Sequence, residues 1–117
     1  MPDALDAILP LSITNTAKPS GNEWVLPLRE TRQAIELASE NGIAILGVES
    51  FRIEDGGFRV ENYTGYGFDF AGDWPDYVKQ NNRAALNFIS GNPLGDGYGY
   101  ILTAASQSEF DALSRKR

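Results

Sequence analysis

The sequence predicts an α+β domain. It is a small two-layer fold with a three-stranded, mainly antiparallel sheet of order 2-1-3. Two longer helices cover the sheet, and short helices stand at the ends. Three observations carry this. An Asp55-Gly56 pair joins two apolar runs, an Asn41-Gly42 pair ends a helical stripe before them, and Asp73-Trp74-Pro75 opens a second helical stripe after them. Helix, hairpin, helix and strand in that order place both long helices against one sheet.

The N-terminal part, residues 1–23, reads as an extension or short helix. Asp3 to Leu9 fits a helix with Leu5, Ile8 and Leu9 on one side, and Pro10 ends it. From Leu11 to Gly21 the chain is polar and turn-like, with Pro19-Ser20-Gly21 as a loop. A proline disfavours helical geometry in the residue before it, so the first long helix begins at or after Pro27. Leu28, Thr31, Ala34, Ile35 and Ala38 recur at three- and four-residue steps and form its apolar stripe. Asn41-Gly42 supplies the stop.

Two strands follow, Gly42 to about Glu54 and Phe58 to about Thr64. Asp-Gly supplies the positive-φ positions of a two-residue hairpin turn, although Glu54 to Gly57 also fits a longer one. The short turn pairs Ile53 with Phe58 and Phe51 with Val60, all apolar and on one face. Arg52, Arg59 and Glu61 take the other face. Ala44, Leu46 and Val48 fall on the opposite parity to Phe51 and Ile53, so a bulge is expected between Gly47 and Ser50. Ile43 and Ile45 make the start of the first strand apolar on both faces, which marks it as central.

The second long helix has Asp73 as N-cap, Pro75 in its first turn and Asp76 at its positive dipole end. Its stripe is Trp74, Tyr77, Val78, Ala85, Phe88 and Ile89, and it runs to about Ser90. Asn81 falls on the stripe with Asn82 beside it. Buried amides need partners, so these either bond nearby backbone or mark a face that meets another molecule. The Gly91 to Gly99 loop lacks the Lys-Ser/Thr of a phosphate loop and feeds a third strand, Tyr98 to Thr103. Ser106-Gln107-Ser108-Glu109 is a capping box that starts a last helix anchored by Phe110 and Leu113, ahead of a basic tail at 114–117.

The length of 117 residues fits one domain over the whole chain, 1–117. There is no Cys and no His, so thiolate and imidazole zinc sites and the Ser-His and Cys-His relays are excluded. That argues against an enzyme. Asp69, Asp73 and Asp76 do not match a calcium-loop spacing, so no metal and no cofactor are expected. No apolar run reaches membrane-spanning length and MPDALDAILP lacks a basic leader, so the expectation is a cytoplasmic protein without a membrane role.

Net charge is −6, from 16 acidic and 10 basic residues. Nine acids lie from Glu36 to Asp76, against only Arg52 and Arg59. Phosphate binding needs a basic surface, so nucleic acid is not expected as a partner. A basic protein is the better match. The candidate partner-binding residues are Glu49, Glu54, Asp55, Glu61, Tyr63, Tyr66, Asp69, Asp73 and Asp76, an acidic set with aromatic anchors. The second reading is a small ligand-binding module or carboxylate-based enzyme. A pocket holding convergent carboxylates would favour it.

The helix-then-strand run Gly42-Ile43-Ala44-Ile45-Leu46-Gly47-Val48-Glu49, the Asp73-Trp74 helix start, and the Tyr98 to Thr103 strand closed by Ser106-x-x-Glu109-Phe110 resemble a known pattern. They are similar to the small acidic immunity proteins of bacterial polymorphic-toxin and contact-dependent inhibition systems, in particular the immunity family numbered forty. The likeness covers most of the chain after Trp24. It implies an inhibitor that binds and neutralises a cognate toxin domain in the cytoplasm.

Overall fold

The computed structural model describes residues 9–10, 13, 18–20, 23–54, 57–65, 73–91 and 98–115. In chain order the elements are β1 (Lys18–Ser20), β2 (Glu23–Val25), α1 (Leu28–Glu40), β3 (Ala44–Glu54), β4 (Gly57–Gly65), α2 (Trp74–Gly91), β5 (Tyr98–Ala105) and α3 (Gln107–Arg115). The main sheet has the order β4-β3-β5, both neighbours antiparallel to β3. This is the expected α+β architecture with the first hairpin strand in the centre. No helix among the described residues is long and apolar enough to cross a membrane.

One element departs from the expectation. Lys18–Ser20 and Glu23–Val25 pair as a small antiparallel hairpin, and its first strand falls in the stretch from Leu11 to Gly21 that the sequence reads as turn-like. The turn signal at Pro19-Ser20-Gly21 sits close to the right place, but Pro19 and Ser20 lie in the strand. A proline is tolerated in such a short pair, which has few ladder bonds to lose. Leu26 then bridges to Tyr100 with two 2.8 Å backbone bonds, which hang this hairpin on the edge of β5. Ile13, in the stretch read as polar, is 2% exposed and packs with Leu26 and Ala34. The expected helix at Asp3 to Leu9 lies almost wholly outside the described residues; Leu9 itself packs partly buried against the same cluster.

The register confirms the two-residue hairpin. Ile53 pairs with Phe58, Phe51 with Val60, and Glu54 with Gly57. The turn residues themselves lie outside the described set. The expected single bulge resolves into two irregularities at either side of the expected stretch. Leu46 has no partner on β5, and Glu61 has none on β3. An extra residue flips parity beyond it. That explains why Ala44 and Leu46 pack in one cluster while Ile45 and Val48 pack in another.

Three helix termini follow from their residues. α1 ends in a Schellman arrangement: Ile43 N–H donates to Ala38 O at 2.9 Å and Gly42 N–H to Ser39 O at 3.4 Å. Gly42 takes φ 68°, a left-handed value that glycine adopts without strain. α2 begins with Asp76 N–H donating to the Asp73 carboxylate at 3.1 Å. α3 opens with the full capping box, Glu109 N–H to Ser106 Oγ at 3.3 Å and Ser106 N–H to Glu109 Oε1 at 2.8 Å.

The larger core lies between the sheet and the helices. Ile35 and Ala38 of α1, Ala85 and Ile89 of α2, and Ile45, Val48, Tyr100 and Ala104 of the sheet form it. A second cluster joins Ala44, Leu46 and Ala105 to Trp74, Tyr77 and Val78 of α2 and Phe110 of α3. α2 therefore contributes to two cores. It lies along the flank of β3 rather than only over one face.

That placement explains the asparagines. β4 pairs with β3 only from Gly47 onward, so the first residues of β3 have no strand on that side. Asn82 Oδ1 accepts from Ile45 N–H at 2.8 Å, and Asn82 Nδ2 donates to Ile43 O at 3.0 Å and to Ser39 Oγ at 2.9 Å. Asn81 Nδ2 donates to Ile45 O at 3.1 Å. Both residues are buried. Side-chain amides thus complete the ladder where β4 stops short, since buried backbone groups must find partners. Burial raises the pKa of the neighbouring Tyr77 hydroxyl above its ordinary value, and a hydrogen bond with Asn81 draws it partly back.

Candidate functional site

β4 stands at the edge of the sheet among the described residues. Its residues alternate between two faces. On the face with Phe51, Tyr63 lies opposite Glu49 and Val60 opposite Phe51. Val60 is 54% exposed and Tyr63 60%; they are the large apolar side chains most open to solvent among the described residues. Phe51 is buried against Val25 and Ile101, while Val60 one strand further out has no such cover. The edge position, not the residue type, leaves Val60 open.

The Tyr63 ring lies along the strand pair over Gly47 and Gly65, which face each other. A Cβ at Gly65 would come within 2.6 Å of the Tyr63 hydroxyl and one at Gly47 within 3.2 Å. The paired glycines therefore give the ring a flat bed without burying it. Asn62 Oδ1 accepts from the Tyr63 N–H at 2.9 Å. That donor is not offered to an added strand, which is one way an edge resists open-ended pairing.

The other face of the hairpin is polar, as its residue types dictate. Arg59 Nη2 lies 3.2 Å and Arg52 Nε 3.8 Å from Glu61 Oε1. Arg52 also donates to the Tyr98 hydroxyl at 2.9 Å and stacks 5.5 Å from that ring's centre. Such exposed pairs contribute little stability, typically about 0–1 kcal/mol.

The nine sequence-predicted residues thus divide. Glu49 and Tyr63 are brought together across β3 and β4. Glu61 turns to the opposite side and is engaged by two arginines, so its charge is locally offset. Asp73 and Asp76 are exposed at the start of α2, joined by the cap. Glu54 ends β3 beside the turn. Asp55, Tyr66 and Asp69 lie outside the described residues. Among the described residues no three Asp or Glu side chains gather so as to hold a metal ion. Sequence reasoning passed over Val60, because its apolar type and its pairing with Phe51 suggested burial.

The chain matches no protein-family model and no curated protein.

Proposed function

We propose that the chain is an immunity protein that binds and neutralises a cognate bacterial toxin domain, and that the outer face of β4 is its contact surface. One observation carries the reading: Val60 and Tyr63, both solvent-exposed, share that face with Glu49. A tyrosine held on a rigid strand offers a large contact area at little entropic cost, and such residues anchor protein interfaces. The acid excess of the chain favours a basic partner and speeds its encounter. The resemblance to immunity proteins supports the same reading and implies a cytoplasmic site of action.

Co-expression with a toxin domain encoded beside this gene tests it. The intact chain should protect the cells. Tyr63→Ala should weaken the complex by about tenfold or more, the usual effect of losing an aromatic anchor. Glu49→Lys should slow association at low salt, and added salt should shrink the difference. Cells that die despite soluble inhibitor would reject the reading. Unchanged affinity for Tyr63→Ala would move the contact surface elsewhere.

A further inference from the structure

The C-terminal end of α1 and the flank of α2 enclose a cleft of about 480 Å³, within the size range of small-molecule sites. Trp74, Pro75, Val78 and Leu86 give it apolar walls, and Lys79 and Arg83 stand along it one turn apart on the same helix face. These are the only basic residues between Arg59 and Arg115 in a chain of net charge −6. Neither forms an ion pair or hydrogen bond among the described residues. Asp76 lies one turn before Lys79 and is not bonded to it.

Of the other polar groups of the cleft, the Asn87 amide is uncharged and stands exposed, and the rest are already engaged. Ser39 Oγ donates to Ile35 O and accepts from Asn82, whose amide is also committed to β3. Gly42 O accepts from the Trp74 indole at 2.7 Å. Lys79 and Arg83 are therefore the charged donors left for a ligand. We propose that this cleft binds a small amphipathic monoanion, a carboxylate carrying an apolar tail. The tail lies on Trp74, Val78 and Leu86, and the carboxylate meets Lys79 and Arg83. A guanidinium fork matches a carboxylate's geometry. The overall negative charge, nearby Asp76 and the carbonyl end of α1 all disfavour a multiply charged anion there. This proposal is independent of the β4 contact surface, and its variants leave that surface untouched.

Decanoate, decanol, decylamine and acetate, each kept monomeric, are titrated into the full chain. Amide shifts and tryptophan fluorescence are followed. Decanoate should give saturable shifts centred on residues 39–42 and 74–87 and alter Trp74 emission. Decanol and decylamine should bind at least tenfold more weakly, and acetate should not saturate. A Lys79→Gln, Arg83→Gln double variant should keep the wild-type melting temperature, bind decanoate at least tenfold more weakly, and bind decanol as before. No saturable decanoate binding, shifts centred elsewhere, or equal decanoate affinity in the double variant would each overturn the proposal.

Discussion

The two ends of β3 are held by different means. At its start, β5 pairs on one side and the amides of Asn81 and Asn82 take the backbone on the other. At its far end, β4 supplies an antiparallel backbone ladder, interrupted once at Glu61. The starting end is closed on every side: Ala44 and Ile45 have no exposure and Leu46 only 8%. The hairpin end shows charged groups on one face and Val60 and Tyr63 on the other. A backbone ladder tolerates many side chains. A side-chain ladder accepts only residues of one length and hydrogen-bond pattern. The first end is therefore framework, and the second is free to carry function.

The sharpest way to break this contrast is to open the framework end. Trp74 is buried, its ring centre lies 5.3 Å from that of Phe110 and 5.4 Å from that of Tyr77, and its N–H fixes the Gly42 carbonyl. The sequence placed this ring at the start of α2. Its partners there are α3 and the start of β3, because α2 runs along the strand's flank. Trp74→Ala should cost about 3–5 kcal/mol in a denaturant melt, the usual price of an emptied aromatic site. A loss below about 1 kcal/mol would mean that the second cluster is not a core.

Asn82→Ala should have the next largest effect. It leaves the Ile45 N–H and the Ile43 carbonyl without their buried partner. The expected loss is about 2–4 kcal/mol, because unmade buried hydrogen bonds cost more than made ones contribute. Asn81→Ala removes the bonds to Ile45 O and to the Tyr77 hydroxyl but leaves no backbone N–H unpaired, and should cost less. Amide exchange at Ile45 should speed up in Asn82→Ala while that at Phe51, in the hairpin half, stays near wild type. Equal acceleration at both would show that the two ends of β3 unfold as one.

Local chemistry was legible in the sequence wherever it was short-range. The Asp-Gly turn set the Phe51–Val60 register, Asn41-Gly42 set the end of α1, and Ser106 with Glu109 set the start of α3. The 2-1-3 sheet order followed from the two-sided apolar start of β3. The buried asparagines were visible as an exception to the stripe, but their backbone partners on β3 and just before it lie 36 to 39 residues away. Their role depends on where β4 ends, and alternation alone does not fix that. The β1–β2 hairpin was hidden because three-residue strands leave too few alternating positions to count. At the candidate site, the Glu49–Tyr63 pairing follows from register only once the Glu61 bulge is known. Val60 was misjudged because the sheet order puts its strand at the edge without showing that the cover over Phe51, from Val25 and Ile101, stops short of it.

The smallest effect on stability tests that last point. Val60 and Phe51 form one cross-strand pair, yet Phe51 is 7% exposed and Val60 54%. Phe51 is covered by Val25 and Ile101, and Val60 extends beyond them. Val60→Thr keeps the β-branched shape that a strand favours and exchanges a methyl group for a hydroxyl that water can reach. Its stability should stay within about 0.5 kcal/mol of wild type, as for most exposed substitutions. If the outer face of β4 is the contact surface, the same substitution should weaken toxin binding, because the hydroxyl must then be desolvated without an assured partner. Stability and binding measured on the one variant separate the outcomes. A loss above about 1 kcal/mol would show that Val60 is covered, and the contrast between the two ends of β3 would fail. Unchanged stability with unchanged binding would keep the contrast and remove Val60 from the contact surface.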